Sequence, residues 1–356
     1  MFLVILACAE RPDGPISEPG SPTDTDTSPL DPPTSPPDTG TTPVTEPTMP
    51  VLLLCGGGTE GDVGDATSWS AVYADLLRNG DVTGDGLVRV AVISEGEETD
   101  WVPAYFESLG ADEAFNVLVD TRDAADAVVL DDVDAVFLKG GDQGAYYDLW
   151  NDTALETAIQ SLYRQTLGGV GGTSAGAMSI SALALAGGMD LVSADVLEDS
   201  HTPYLRDDSD GGTGVHDDFF ALLDGETLVD THFSNRGRLA RLAGTLAEAI
   251  DVYALAAPLG IGLDEQTCAT VQGGVATVSG VGAVTFLRPG TEAAVRVPGD
   301  PLIWADLQLD RLVAGGTFDL SDRTSDLGGD PVGTLARLHA VGLTLRRSRE
   351  LTRVCS

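Results

Sequence analysis

The sequence predicts an α/β fold with a doubly wound, mostly parallel sheet, helices on both faces, and a C-terminal antiparallel β extension. Apolar runs alternate with helical segments through the first half of the chain, which is typical of parallel sheets covered on both sides. Three predicted strands run into glycine-rich or small-residue segments, at Gly56–Gly58, Gly140–Gln143 and Ser174. Because ligands bind at the carboxyl ends of such strands, we expect these segments to converge on one site.

The elements of the first half follow from the spacing of apolar residues. Val51–Cys55 is a continuous apolar run, as expected for a central strand buried on both faces. The other predicted strands are Leu87–Ile93, Phe115–Val119, Asp134–Leu138 and Gln165–Val170. The predicted helices are Ala66–Asn79, Thr99–Leu109, Tyr146–Tyr163 and Ser179–Ala186.

The second half begins with a predicted strand, Thr227–Phe233, that carries His232. Ser234 is a suitable N-cap for a helix over Asn235–Ile250. Ala254–Asp264 contains a further strand, and glycine turns separate the alternating runs that follow. The predicted antiparallel strands are Thr267–Val271, Val275–Val278 and Val281–Leu287, with a strand and an edge in Trp304–Leu320 and a helix then a strand in Val332–Leu345.

Composition divides the chain into segments. Residues 1–8 resemble the end of a bacterial lipoprotein signal, although the run is short and has no basic start. Residues 9–50 are rich in Pro, Thr, Ser and Asp and predict a disordered tether. A catalytic domain is expected over 51–322, with an acidic loop insertion at 199–225, and a C-terminal extension over 323–356. Lipidation of Cys8 would make this an extracellular or cell-surface lipoprotein.

Charge and cysteine content limit the classes of function. The chain has 19 Lys and Arg against 56 Asp and Glu, a formal net charge of −37, which argues against nucleic acid as a partner. The four cysteines lack the spacing of a metal site, and no cofactor is expected. Cys55 is expected to be a buried thiol, and Cys268 could pair with Cys355 if the protein is exported.

The best motif for catalysis is Gly172-Thr173-Ser174-Ala175-Gly176, between a predicted strand and a predicted helix. A serine among small residues at such a turn is the pattern of a nucleophile elbow. The small neighbours leave room for a substrate carbonyl, and the helix N-terminus supplies N–H groups where an oxyanion would form.

The residues around His232 are the second signal. Of the four histidines, His232 is the one that lies in a predicted strand. Arg236, Arg238 and Arg241 follow it closely, in a chain with few basic residues. They either form a solvated helix face paired with the abundant acids or clamp an anionic or carboxylate group of the substrate.

These motifs resemble the cyanophycinase and dipeptidase E family of serine peptidases, which has a class I glutamine amidotransferase-like fold. The likeness rests on four segments in the family's order, over about residues 50–322: Phe137–Gln143, Gly172–Ala177, Asp230–Arg241 and Gly260–Glu265. The arginine-rich segment favours cyanophycinases over dipeptidases.

The resemblance implies a role for each matching residue. Ser174 would be the nucleophile and His232 the general base, with Asp190 orienting the histidine and Asp195 and Glu198 as rivals for that place. Gly141 and Ala175 would hold the oxyanion. The residues expected to grip an aspartyl backbone bearing arginine side chains are Gln143, Asp230, Arg236, Arg238 and Arg241.

The implied activity is an exopeptidase that releases β-Asp-Arg dipeptides from cyanophycin through an acyl-enzyme. A departure is Thr231, where cyanophycinases usually have glutamine. Two alternatives therefore stay open: a serine peptidase for other Asp-containing peptides or isopeptides, and an inactive surface-anchored binding protein. The resemblance also suggests a homodimer.

Overall fold

A computed structural model describes residues 49–65, 67–96, 98–186, 191–206, 214–223 and 225–327. Cys8, the tether, Asp190, Cys355 and the elements predicted over Val332–Leu345 lie outside these residues. Among the helices of the described residues, none has the length and apolar character needed to cross a bilayer.

The central sheet confirms the predicted α/β class. Five parallel strands form its core in the spatial order β1-β5-β4-β2-β3. They are β1 (Val51–Cys55), β2 (Arg89–Ser94), β3 (Glu113–Leu118), β4 (Ala135–Leu138) and β5 (Gly169–Thr173). Their carboxyl ends lie at one edge, as expected for a doubly wound sheet.

The later strands form the antiparallel extension and a second sheet. They are β6 (Ala184–Leu185), β7 (Val215–His216), β8 (Thr227–Asp230), β9 (Leu259–Leu263), β10 (Thr267–Gln272), β11 (Val275–Gly280), β12 (Ala283–Arg288), β13 (Gln308–Val313), β14 (Thr317–Asp319) and β15 (Thr324–Asp326). Strand β10 pairs antiparallel with β1 and leads outward through β11, β14 and β15. The second sheet has the order β13-β12-β9-β8, in which β8 and β9 are parallel, and β6 pairs with β7.

The helices lie between the strands but differ in extent from the prediction. They are α1 (Trp101–Ser108), α2 (Arg122–Ala127), α3 (Gln143–Trp150), α4 (Ala154–Ser161), α5 (Ala175–Ser179), α6 (Ser193–Glu198) and α7 (Leu239–Tyr253). The helix predicted over Ala66–Asn79 is a 3-10 helix, Trp69–Leu77. The helix predicted over Tyr146–Tyr163 divides in two near Asp152, whose φ of +56° is not helical. The prediction of a helix over Ser179–Ala186 is wrong, because α5 ends at Ser179 and the chain then enters β6.

The central sheet is buried on both faces. Leu52 and Leu54 of β1 belong to one hydrophobic cluster, and Leu53 and Cys55 belong to the other. This alternation explains why β1 reads as a continuous apolar run, since every side chain enters a core. The acidic segment 199–225 also contributes to the core, because Val215, Phe219 and Phe220 are buried.

The expected cysteine pairing is corrected by the structure. Cys55 is joined to Cys268 by a disulfide, so it is not a thiol. The two cysteines are direct partners in the β1–β10 ladder, with Cα atoms 4.1 Å apart. Cys268 is therefore already bonded and does not pair with Cys355.

Candidate active site

Ser174 lies in a sharp turn between β5 and α5. Its φ of 53° and ψ of −120° place it in a strained region that non-glycine residues rarely adopt. The turn is close-packed, because a Cβ on Gly176 would come within 2.3 Å of the Leu138 carbonyl oxygen. This is the strand–turn–helix geometry of a nucleophile elbow.

The structure brings Ser174 and His232 into direct contact. Ser174 Oγ lies 2.8 Å from His232 Nε2, although 58 residues separate them in sequence. The distance is within reach for proton transfer from a serine to a histidine base. Helix α5 begins at Ala175, immediately after Ser174.

The other ring nitrogen of His232 is held by Glu265. His232 Nδ1 lies 2.8 Å from Glu265 Oε1, and Asn235 donates from Nδ2 to Glu265 Oε2 at 2.9 Å. A carboxylate on Nδ1 favours the tautomer in which Nε2 accepts the serine proton. Ser174, His232 and Glu265 thus form a connected triad.

Glu265 replaces the acids that the sequence analysis proposed. Asp190 lies outside the described residues, and Asp195 accepts a hydrogen bond from the Val192 N–H at the start of α6. Glu198 is the last residue of α6. Glu265 lies just after β9, the parallel neighbour of β8, which precedes His232, and this strand pairing is visible only in the structure.

The backbone around His232 is fixed by the loop after β1. His232 has a φ of +47°, and its N–H donates to the Gly56 carbonyl oxygen at 2.9 Å. Gly57, with a φ of +88°, is packed against the imidazole, because a Cβ there would lie 2.5 Å from a ring carbon. The Gly56–Gly58 loop therefore makes room for the catalytic ring.

The pKa of His232 is lowered from its ordinary value of 6.5. Burial is the largest cause, Glu265 opposes it, and the positive charge of Arg236 adds to the lowering. A lowered pKa keeps the imidazole neutral, as a general base must be, over more of the pH range.

The two residues expected to supply the oxyanion N–H groups lie directly after Ser174 and in the turn after β4. Ala175 is the first residue of α5, so its N–H belongs to the helix N-terminus, where developing negative charge is favoured. Gly141 belongs to the turn after β4. In that turn, a Cβ on the preceding Gly140 would lie 3.2 Å from Ser174 Cβ.

Three of the residues expected to bind substrate form a buried ion cluster instead. Asp230 is fully buried and accepts hydrogen bonds from Arg241 Nε and Nη2, both at 3.0 Å. Arg238 Nη1 lies 3.2 Å from Asp230 Oδ1 and 2.8 Å from the Thr231 carbonyl oxygen. With Arg241 only 2% exposed, Asp230 and Arg241 are not available to a substrate.

The remaining expected contacts differ in exposure. Arg236 is exposed and precedes α7, which begins at Leu239 and not at Asn235. Ser234 is not its N-cap, and Ser234 Oγ instead accepts a hydrogen bond from Arg311 Nη1. Gln143 is buried at the first turn of α3. Thr231 is fully buried with Oγ1 3.4 Å from Met178 Sδ, so its side chain does not face a substrate.

A cavity of about 670 Å³ lies next to Ser174, because the preceding residue, Thr173, lines it. It is bordered by the carboxyl ends of β2 and β4 and by the loop after β1. Its lining residues are Glu60, Ser94, Glu95, Gly96, Thr99, Trp101, Val102, Phe137, Lys139, Gly140, Gly141 and Thr173. Within the described part of the chain, no group of three or more His, Cys, Asp or Glu side chains is arranged to hold a metal ion.

Comparison with known proteins places these features in a family. No family model matches the chain. The chain is 32% identical over 228 residues to the cyanophycinase of Trichormus variabilis, which covers 62% of this chain and 69% of that protein. It is 32% identical over 191 residues to the cyanophycinase of Synechococcus elongatus, covering 52% of each. The chain is also similar to the crystal structure of a peptidase from an acI-B1 actinobacterium, with 20% identity and a TM-score of 0.49. The match covers 76% of this chain and 97% of that peptidase.

Proposed function

The chain belongs to the cyanophycinase family of serine peptidases, and we propose that it hydrolyses cyanophycin, a poly-aspartate with arginine on each β-carboxyl. The proposed products are β-Asp-Arg dipeptides, released from a chain end. The names of the relatives support this substrate. The net charge of −37 also favours an arginine-rich polymer over an anionic one.

The observation that carries the proposal is the Ser174–His232–Glu265 triad, with both hydrogen bonds at 2.8 Å. In the first step, His232 Nε2 takes the proton of Ser174 as Oγ attacks the substrate carbonyl carbon. Glu265 stabilises the imidazolium that forms. The N–H groups of Ala175 and Gly141 bind the oxyanion of the tetrahedral intermediate.

The intermediate then loses the leaving amine, which takes the proton from His232. Ser174 remains esterified to the aspartyl carbonyl on the acyl side of the cleaved bond. A water molecule gives its proton to His232 and attacks the ester carbonyl, and the same proton returns to Ser174 Oγ as the carboxylic product leaves. The Asn235 amide restricts the rotation of Glu265 and so of the histidine ring.

Incubation of the purified enzyme with insoluble cyanophycin tests the proposal. We expect the suspension to clear and β-Asp-Arg to appear by mass spectrometry. Ser174→Ala is the matched control and should lower kcat by about 10⁶-fold, as loss of a triad serine does. Clearing by both proteins alike, or by neither, would contradict the proposal.

The alternatives predict different results from the same assay. A peptidase for other Asp-containing peptides would leave cyanophycin intact but still react with a fluorophosphonate at Ser174. An inactive binding protein would bind cyanophycin without releasing a dipeptide. The connected triad supports the two enzymatic proposals over the third.

We also propose export and membrane anchoring through a lipidated Cys8, as the sequence of the first 50 residues suggests. The Cys55–Cys268 disulfide supports an oxidising compartment. Mass spectrometry of the membrane fraction should find the mature chain beginning at an acylated Cys8. A full-length, unmodified chain in the soluble fraction would contradict the anchoring proposal.

A further inference from the structure

The cavity beside Ser174 is placed to hold the residue next to the scissile bond. Thr173 lines it and directly precedes the nucleophile. Gly140 also lines it, and a Cβ on Gly140 would lie 3.8 Å from Ser174 Oγ. A substrate carbonyl at Ser174 therefore has its neighbouring side chain within reach of this cavity.

The lining combines carboxylates with an aromatic wall. Glu60 and Glu95 contribute two negative charges and Lys139 contributes one positive charge, so these three groups sum to one negative charge. Trp101 and Phe137 form apolar parts of the wall. A guanidinium suits such a site, because it pairs with carboxylates through its planar fork and stacks on aromatic faces.

Both carboxylates are held in place by neighbouring donors. Glu95 Oε1 accepts a hydrogen bond from the Asp142 N–H at 3.0 Å, and Glu60 Oε1 accepts one from the Tyr73 hydroxyl at 3.1 Å. Glu95 also lies against the turn after β4, since a Cβ on Gly141 would come within 2.3 Å of Oε1. Fixed carboxylates bind a cation with less loss of side-chain entropy than mobile ones.

A buried hydroxyl provides an independent sign of a ligand. Thr173 is only 7% exposed, and its Oγ1 makes no hydrogen bond of ordinary geometry among the described residues, although the Tyr73 hydroxyl lies near enough to interact with it. Buried polar groups are usually hydrogen-bonded, so such an atom at the wall of a cavity suits a polar ligand group. Its position next to Ser174 places that group close to the bond that is cut.

We propose, on the basis of the proposed function, that Glu95 and Glu60 bind the guanidinium of the arginine attached to the aspartate at the scissile bond. Trp101 stacks on the guanidinium, and the Thr173 hydroxyl accepts one of its N–H groups. The carboxylates of this cavity, and not the Asp230–Arg238–Arg241 cluster, then select the side chain of the substrate.

Binding of two matched peptides to the Ser174→Ala enzyme tests the proposal without requiring catalysis. One peptide is a β-Asp-Arg trimer and the other is its citrulline counterpart, which keeps the shape of arginine but has no charge. We expect the arginine peptide to bind about tenfold or more tightly by calorimetry, since a hydrogen bond to a charged group contributes at least that factor.

Two variants and one control variant, all in the Ser174→Ala background, locate the effect. Glu95→Gln keeps the acceptor for the Asp142 N–H and should remove most of the preference for arginine, and Glu60→Gln should reduce it. Glu98→Gln removes the same charge from an exposed residue outside the cavity lining and should keep the preference. Circular dichroism checks that each variant is folded.

The outcomes separate the pocket from the proposed function. Equal binding of the two peptides, or equal loss of preference in Glu95→Gln and Glu98→Gln, would overturn the pocket assignment. If Glu95→Gln does not fold, the Glu60→Gln comparison decides in its place. Cleavage of neither peptide by the wild type would refute the proposed function, while the binding comparison would still decide for or against the pocket.

Discussion

Two charged regions lie near the catalytic residues and differ in burial and in how their charges are paired. The Asp230–Arg238–Arg241 cluster lies beside His232 and is closed to solvent around Asp230 and Arg241, and its two guanidinium groups share the one carboxylate of Asp230. The cavity on the β2 and β4 side is open and is lined by Glu60 and Glu95. The arginines are thus placed to support the histidine, and the acids are placed to receive a ligand.

The difference shows why residue type alone does not identify a binding residue. Three arginines near a catalytic histidine suggest a clamp for a carboxylate. Burial reverses this interpretation for Arg241, because a charge that is already paired in the interior gains little by exchanging its partner for a ligand. Arg238 also holds the Thr231 carbonyl, which belongs to the peptide bond that leads into His232.

Apart from loss of the nucleophile itself, the largest effect on activity is expected from Glu265→Gln. A glutamine can donate to Nδ1 and so favours the tautomer in which Nε2 carries a proton and cannot accept one from Ser174. We expect kcat to fall by about 10³- to 10⁴-fold with little change in KM, as when the acid of a triad is replaced by its amide. Steady-state kinetics on the β-Asp-Arg trimer measure both constants. A rise in KM with kcat unchanged would instead show that Glu265 binds the substrate and does not orient the histidine.

The largest effect on stability is expected from Asp230→Ala. It leaves the guanidinium groups of Arg238 and Arg241 without their shared carboxylate, and breaking a buried ion pair typically costs about 3–5 kcal/mol. Urea unfolding measures the loss. Asp251→Ala is the matched control, because Asp251 pairs with Arg296 but its side chain is 59% exposed, and exposed pairs contribute about 1 kcal/mol or less. Equal losses in the two variants would contradict the assigned burial.

Arg238→Lys separates support of the histidine from binding of the substrate. Burial lowers the pKa of Arg238 to about 10, with Asp230 opposing the shift, so the residue remains charged at neutral pH. A single nitrogen of Arg238, Nη1, donates to both Asp230 Oδ1 and the Thr231 carbonyl oxygen. A lysine keeps the charge, but its flexible chain does not hold a donor at the position of Nη1 as the rigid guanidinium does. We expect kcat to fall about tenfold, as a small misplacement of a catalytic group produces, while KM changes less than twofold. A large rise in KM with kcat retained would show a substrate clamp.

The parallel strands and the nucleophile elbow were predictable because they depend on local sequence. Val51–Cys55 is apolar throughout since β1 is buried on both faces. Ser174 is surrounded by small residues since its turn has no room for larger ones. His232 was identifiable because it follows a short apolar strand. Each signal is contained within a few consecutive residues.

The partners of these residues depend on strand pairing and could not be predicted. Glu265 reaches His232 because β8 and β9 are parallel with Asp230 opposite Gly262, which brings the residues after both strands to one edge. Cys55 meets Cys268 because β10 joins the sheet beside β1. The burial of Asp230 had one local signal, its place at the end of the apolar run Thr227–Asp230, but its two arginine partners come from the next segment.

The smallest expected effect concerns Arg236, the one arginine of the segment that is exposed. Its positive charge lowers the pKa of His232, so Arg236→Gln should raise that pKa. Because His232 must be neutral to accept a proton, activity rises as pH passes through the pKa, and the acidic limb of kcat/KM should move to higher pH. The shift should be a few tenths of a pH unit, since exposed charges are screened by solvent and salt. Raising the ionic strength should shift the wild type in the same direction and leave Arg236→Gln less affected. A limb that moved to lower pH, or a shift matched by Arg78→Gln at a distant exposed position, would show that Arg236 does not act on the histidine.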